Sequence, residues 1–337
     1  MTLKVALSLV LNAHYRGYIY EKIDELIEVY KSVLRLIDKY GFKATLFISG
    51  ATAEAIGGDE ELLKIIKDGL KKGHIEVCNT TFSYAILAKL PLKEAREQVK
   101  LANETLAQVF EEVSKGFYPP ESFFDPLLPM ILRELDFSWI LLDPEKCRHE
   151  YGEVIPHVPL EFRGVNESKI RGVFLCNKWS DLKHLMMLDE LPPPPRLVTV
   201  MFSEKDIFTL GEAEKKLVLL KALSERIEAE SVLVTEYIEE VPPAEEAVIG
   251  SPNPLWRLEE LWNEARESIR ILESLARTKQ SVDAFTLLNK AIRSLYLSET
   301  SSTYYESRNK TGLLELYSCE KALEAISLAR QALKILS

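Results

Sequence analysis

The sequence predicts an α/β chain, an incomplete seven-stranded (β/α) barrel followed by a helical bundle. Three observations lead there. Seven short apolar or β-branched runs occur in order, at residues 5–11, 43–49, 75–79, 116–119, 139–143, 172–177 and 197–203. Most are continuous rather than alternating, the pattern of strands buried on both faces. Helical patterns lie between many of them, and strand and helix in alternation argue for a parallel sheet. Beyond a Pro-rich connector at 241–254, everything reads as helix.

The elements follow in order. The opening MTLKVALSLVL holds one Lys and a short apolar run with no small-residue cleavage site behind it, so it reads as a strand rather than a signal peptide. Residues 21–40 place Ile23, Leu26, Ile27, Tyr30, Leu34 and Ile37 on one helical face. Residues 60–71, 92–113 and 126–135 read similarly. The fourth strand must stop at Pro119-Pro120, because proline has no N–H to give a sheet ladder. An eighth run, 231–237, reads as an extra strand or the closing edge. Asn253-Pro254 is a helix cap followed by an N1 proline. After it Leu255, Leu258, Trp262, Ala265, Ile269, Leu272 and Leu275 recur at helical spacing. A second helix starts at Ser281, and a third spans about 313–336. The expected division is a barrel over 1–245 and a bundle over 246–337.

Composition narrows the classes of function. The 337 residues are 47% apolar, enough for a full core. The formal net charge is −10 with no Lys/Arg block, which disfavours nucleic acid or an anionic membrane as partner. No apolar run reaches the roughly 18 residues a membrane span needs. Cys78, Cys147, Cys176 and Cys319 are scattered, which fits a reducing cytoplasm. Scarce Gln beside abundant Glu and Lys leans towards a thermophilic source. The sequence leaves the oligomeric state open.

The strand ends carry the chemistry. The first ends in Asn12-Ala13-His14-Tyr15. The third holds Glu76 and leads into Asn79 through Tyr84. The fourth ends at Glu121, the fifth at Asp143, the sixth at Cys176-Asn177, and the seventh runs out through Ser203, Glu204 and Asp206. In a parallel α/β barrel these ends converge on one mouth. Carboxylates, a histidine and aromatics at a mouth suit an oligo- or polysaccharide. Each residue also has a plainer reading. His14 fits a rim histidine, and Asp143 before Pro144 fits the start of a turn. Tyr84, Tyr118 and Trp139 fit packing. Glu76 is harder to dismiss, since a carboxylate inside an apolar strand is costly without a partner. The histidines form no metal-type pair, no nucleophile elbow accompanies a serine, and no glycine-rich loop is built to cradle phosphate, so neither metal nor cofactor is expected.

These segments resemble glycoside hydrolase family 57, retaining α-glucan-acting enzymes on an incomplete (β/α)7 barrel followed by helices. LVLNAHY resembles the family's first motif, with His14 at its substrate-binding histidine. GHIEVCNTTFSYAIL resembles the second, with Glu76 at its glutamate and Tyr84 where many relatives carry His. GFYPPESFFDPLLPMILRELDFSWILLD resembles the third, with Glu121 at the nucleophile. SLYLSETSSTYYE resembles the C-terminal motif, with Ser302-Thr303 in place of Asp-Trp. LVTVMFSEKDIF resembles the segment supplying the catalytic Asp of an Asp-Gly-Glu sequence, but Phe202 stands at the Asp position.

The resemblance therefore implies Glu121 as nucleophile, Glu204 or Asp206 as a displaced acid/base, and His14, Glu76, Tyr84 and Asp143 as substrate-binding residues. A retaining mechanism needs two carboxyls roughly 5–5.5 Å apart. Along an extended strand Phe202, Glu204 and Asp206 share a face. A non-catalytic sugar-binding or regulatory relative is the alternative. A polysaccharide deacetylase-like barrel is a lesser one, as that chemistry uses aspartates and histidines on a metal.

Overall fold

One ten-stranded, mostly parallel sheet is the centre of the fold. The computed structural model describes residues 3–12, 23–147, 149, 157–176, 197–202, 207, 210–226, 228–249, 259–300 and 313–336. All seven expected runs form strands: β1 (Lys4–Leu11), β2 (Ala44–Ile48), β3 (Ile75–Asn79), β4 (Gly116–Phe117), β5 (Trp139–Leu142), β7 (Lys169–Phe174) and β8 (Leu197–Phe202). Neighbours among them pair in parallel from β8 through β1 to β5 and on to β7. Between β7 and β8 the Cys176 N–H donates to the Thr199 carbonyl at 2.7 Å. The curled sheet thus approaches closure through the backbone just past β7, as an incomplete barrel should.

Helices cover the outer face: α1 (Ile23–Tyr40), α2 (Gly50–Gly57), α3 (Glu60–Lys71), α4 (Leu92–Phe110), α5 (Leu128–Glu134) and α6 (Leu210–Arg226). Strand residues alternate between two environments, because successive side chains point to opposite faces. Val5, Leu7, Leu9, Ala44, Leu46, Ile48, Val77, Val198, Val200 and Phe202 pack against the helix layer. Ala6, Val10, Phe47, Cys78, Trp139, Leu141, Val173 and Leu197 fill the barrel.

Three elements depart from the sequence reading. β6 (Leu160–Arg163) is antiparallel to β7, and β10 (Glu246–Ala247) extends that edge just past residue 245. The run at 231–237 is mostly not a strand. Only β9 (Glu230–Ser231) pairs with β1, and the chain then turns into α7 (Val234–Glu240). Val234, Tyr237, Ile238 and Val241 recur at helical spacing and all pack into the barrel interior. The Glu236 carboxylate accepts from the Leu233 N–H at 2.9 Å, which secures the helix start. α7 therefore plugs the barrel at the end opposite the strand exits.

Three helices follow: α8 (Glu259–Lys279), α9 (Val282–Ser298) and α10 (Leu313–Leu336). Alanines at 265, 276, 284, 291, 322, 325, 329 and 332 are all buried between them and allow close approach. The same cluster takes in Ala51, Phe82 and Ala102, so the helices pack directly on the flank of the barrel.

Candidate active site

The exits of β4 and β5 form one bonded unit. The Tyr118 N–H still donates to the Asn79 carbonyl at 3.0 Å, and Pro119-Pro120 then end the ladder. Glu121 and Ser122 follow in the left-handed region, at φ 57° and 53°. Two such residues in succession cost about 1–3 kcal/mol each. The turn is fixed by Ser122 N–H to Pro119 carbonyl at 2.8 Å and Phe123 N–H to Pro120 carbonyl at 3.1 Å. The Ser122 hydroxyl donates to Tyr118 Oη at 3.2 Å and accepts from the Asp143 N–H at 2.7 Å. Asp143 Oδ1 in turn accepts from the Glu145 N–H at 3.0 Å, and the Asp143 carbonyl accepts from the Lys146 N–H at 3.1 Å. Asp143 thus starts the turn after β5.

That turn delivers Lys146, which the sequence reading missed. Its Nζ lies 2.9 Å from Glu121 Oε2, with the Glu121 side chain 20% exposed. Burial lowers the affinity of Lys146 for its proton, but Tyr118, Glu121 and Asp143 together outweigh it and raise its pKa above the ordinary lysine range. Burial pushes the Tyr118 phenol up to about 12, with Lys146 pulling the other way, so it is neutral at ordinary pH. The signal for Lys146 was present as Asp143-Pro144-Glu145-Lys146, a turn at a strand exit. Its pairing with a residue 25 positions earlier was not.

Tyr84 reaches the same interior from the exit of β3. It sits at φ 58°, buried in the cluster that holds Tyr118 and Phe47. The preceding Ser83 is pinned by Gln98 of α4, whose Oε1 accepts from the Ser83 N–H at 3.1 Å. Gln98 Nε2 also reaches Glu299 at 3.3 Å, just past α9. Glu299 is fully buried against Arg266, whose Nη2 lies 2.7 Å away. Burial and the neighbouring Glu94 hold the Glu299 carboxyl well above the usual carboxylate range, against the pull of Arg266. Ala85 bridges Thr300. The C-terminal motif therefore contributes a buried support for the loop that carries Tyr84.

Glu76 lies elsewhere. It is second in β3, three residues or about 10 Å back from the exit. Met201, Ser8, Thr45 and Glu76 stand in one row across β8, β1, β2 and β3. Thr45 Oγ1 donates to Glu76 Oε1 at 2.5 Å, and the Thr235 N–H of α7 donates to the same oxygen at 3.3 Å. Desolvation raises its pKa, with Thr235 and Thr45 pulling the other way. The structure groups Glu76 with the plug at the barrel base rather than with Glu121.

Phe202 does not occupy a gap in the mouth. It is fully buried against the helix layer, with Lys216 of α6 5.8 Å from its ring centroid. The inward residues of β8 are Leu197, Thr199 and Met201. His14, Asn177, Glu204, Asp206 and Ser302-Thr303 lie outside the described residues. Among the described residues, no group of three or more His, Cys, Asp and Glu is placed to hold a metal ion, and no helix is long and apolar enough to cross a membrane.

Comparison with known proteins adds a family match. Residues 6–166 match the family model of glycosyl hydrolase family 57. A curated α-amylase from Pyrococcus abyssi is 25% identical over 129 residues, which are 38% of this chain and 19% of that protein. The crystal structure of a GH57-type branching enzyme from Pyrococcus horikoshii matches with a TM-score of 0.72 at 11% identity, covering 99% of this chain and 94% of that one. The crystal structure of 4-α-glucanotransferase from Thermococcus litoralis matches with a TM-score of 0.64 at 13% identity, covering 98% of this chain and 58% of that one. The chain spans about a fifth of the curated relative's length. The family match bears out the resemblance read from the motifs, and the likeness to the solved structures bears out the fold.

Proposed function

We propose that this chain, a member of glycosyl hydrolase family 57, acts on α-glucans with Glu121 as nucleophile of a retaining mechanism. One observation carries the reading. A strained two-residue turn at a strand exit holds a single, partly exposed carboxylate against a cation. Such strain persists only where surrounding structure over-determines it, and it clusters at functional sites. Family membership and the α-amylase, branching-enzyme and glucanotransferase relatives support the substrate class. Tyr84 and Asp143 flank Glu121 in this reading, and His14 joins them as a substrate-binding residue. We assign the acid/base to Glu204 or Asp206, beyond the end of β8. A cytoplasmic setting belongs to the same proposal.

The test is incubation with a panel of α-glucans, comparing wild type with Glu121→Gln by product chromatography. Products from wild type alone are expected. Equal products from both would remove Glu121 from the chemistry. A second reading, a sugar-binding relative without turnover, is favoured by the outward face of Phe202, which leaves the inward residues of β8 without a carboxyl. It is recognised by glucan binding without products and by unchanged affinity in Glu121→Gln.

A further inference from the structure

Lys146 engages only one oxygen of the Glu121 carboxylate. Its ammonium approaches Oε2, and among the described residues no hydrogen bond reaches Oε1. The backbone on both sides of the pair is fixed. Ser122, next to Glu121, accepts from the Asp143 N–H, and the Asp143 carbonyl accepts from the Lys146 N–H. Glu121 and Lys146 are thus held by a rigid hydrogen-bonded unit, not by two loose surface loops. Lys146 itself is 45% exposed, so an isolated surface ion pair would contribute little. The strained turn and the stitched backbone set this pair apart from that case.

We infer that Lys146 is a positioning residue for Glu121, fixing Oε2 so that Oε1 is the attacking oxygen and stabilising the carboxylate when it departs. This rests on the nucleophile role proposed for Glu121. In the first step Oε1 bonds to the anomeric carbon, and the glycosidic bond breaks with its electron pair passing to the leaving oxygen, which takes a proton from the acid/base. The Glu121 charge is then spent in the ester, and Lys146 loses its partner. In the second step the oxygen of water, or of an acceptor hydroxyl, bonds to the anomeric carbon. The bond to Oε1 breaks, its electron pair returns to Glu121, and the base takes the proton. Lys146 favours this second step, because it stabilises the carboxylate that leaves. In the first step it stabilises the starting carboxylate instead.

Lys146 therefore acts asymmetrically on the two steps. Lys146→Met should slow breakdown of the covalent intermediate and leave its formation nearly intact. A hydrogen bond to a charged group is worth about 1.5–3 kcal/mol, so kcat should fall roughly 10- to 150-fold. KM should fall with it, leaving kcat/KM within a few-fold of wild type. Intact-protein mass spectrometry during turnover of maltoheptaose should show a glucosyl adduct in Lys146→Met and much less in wild type. Lys146→Arg, which keeps the charge, should restore most of kcat. A parallel fall of kcat and kcat/KM without adduct, or no rescue by arginine, would overturn the assignment. A readout without turnover separates this from the function proposed above. In protein with reductively 13C-methylated lysines, the Lys146 signal should titrate at lower pH in Glu121→Gln than in wild type. An unchanged titration defeats the pairing even if glucans are cleaved. A shifted titration with no product from wild type defeats the proposed function and leaves the pair standing.

Discussion

Two glutamates of one barrel, Glu121 and Glu76, show what placement does to a carboxyl. The motif resemblance sets both at glutamate positions. Glu121 leaves the sheet at a proline-broken strand end, meets a lysine and keeps contact with solvent. Glu76 stays inside the sheet and meets a threonine and the start of a helix, and among the described residues no cation hydrogen-bonds to it. The first has a cation beside one of its oxygens. The second is pushed towards its neutral form by burial. Residue type alone is silent on this difference; position along the strand and the nearest charge decide it.

The largest expected effect is on Glu121. Glu121→Gln should cut turnover of α-glucan by at least about 10³-fold, the scale of losing a nucleophile, with little change in melting temperature. A rate within tenfold of wild type would remove Glu121 from the chemistry. Next comes Phe202→Asp, which puts a carboxylate at the position that the motif resemblance matches to the family's acid/base. The structure predicts no gain of activity and a loss of about 3–5 kcal/mol in stability, because the charge would be buried among the outer core residues. Increased turnover would show that this residue faces the mouth.

Glu76 gives a pH-dependent prediction. Its folded pKa is raised above the unfolded value, so the fold binds the proton more tightly than the unfolded chain. The stabilisation is therefore complete below the unfolded carboxylate pKa and is lost as pH rises through the folded one. Glu76→Gln should remove that part of the pH dependence, so its stability relative to wild type should improve from pH 4 upwards in chemical denaturation. A constant difference across pH would mean that the carboxyl is ionised in its niche. The smallest expected effect is at Gly116 of β4, where an added Cβ would lie 2.1 Å from the Trp139 ring. Gly116→Ala should cost about 1–3 kcal/mol by overpacking and loosen the strand that delivers Glu121. Unchanged stability would show that Trp139 has room to move.

Much of the fold was legible because each parallel strand is a continuous apolar run bounded by turn residues. The 231–237 run misled because Val232, Leu233 and Val234 read as strand, while Val234, Tyr237, Ile238 and Val241 also satisfy a helical period; the pairing with β1 ends at Ser231. β6 and β10 were missed because both are short and charged. Alternation alone does not say which face of β8 is inside; the register with β1 and the packing on the helix layer send Phe202 outward. At the mouth, Glu121 was visible from its prolines. Lys146 and Glu299 were not, since their partners come from distant segments and nothing in either local sequence announces the pairing.

Covalent attack on the sugar is the role proposed for Glu121. Its most direct test is trapping with 5-fluoro-α-glucosyl fluoride followed by peptide mapping. A glucosyl adduct is expected on the peptide containing Glu121 and not in Glu121→Gln. Label on another carboxylate, or continued turnover of glucan with no adduct at Glu121, would contradict it.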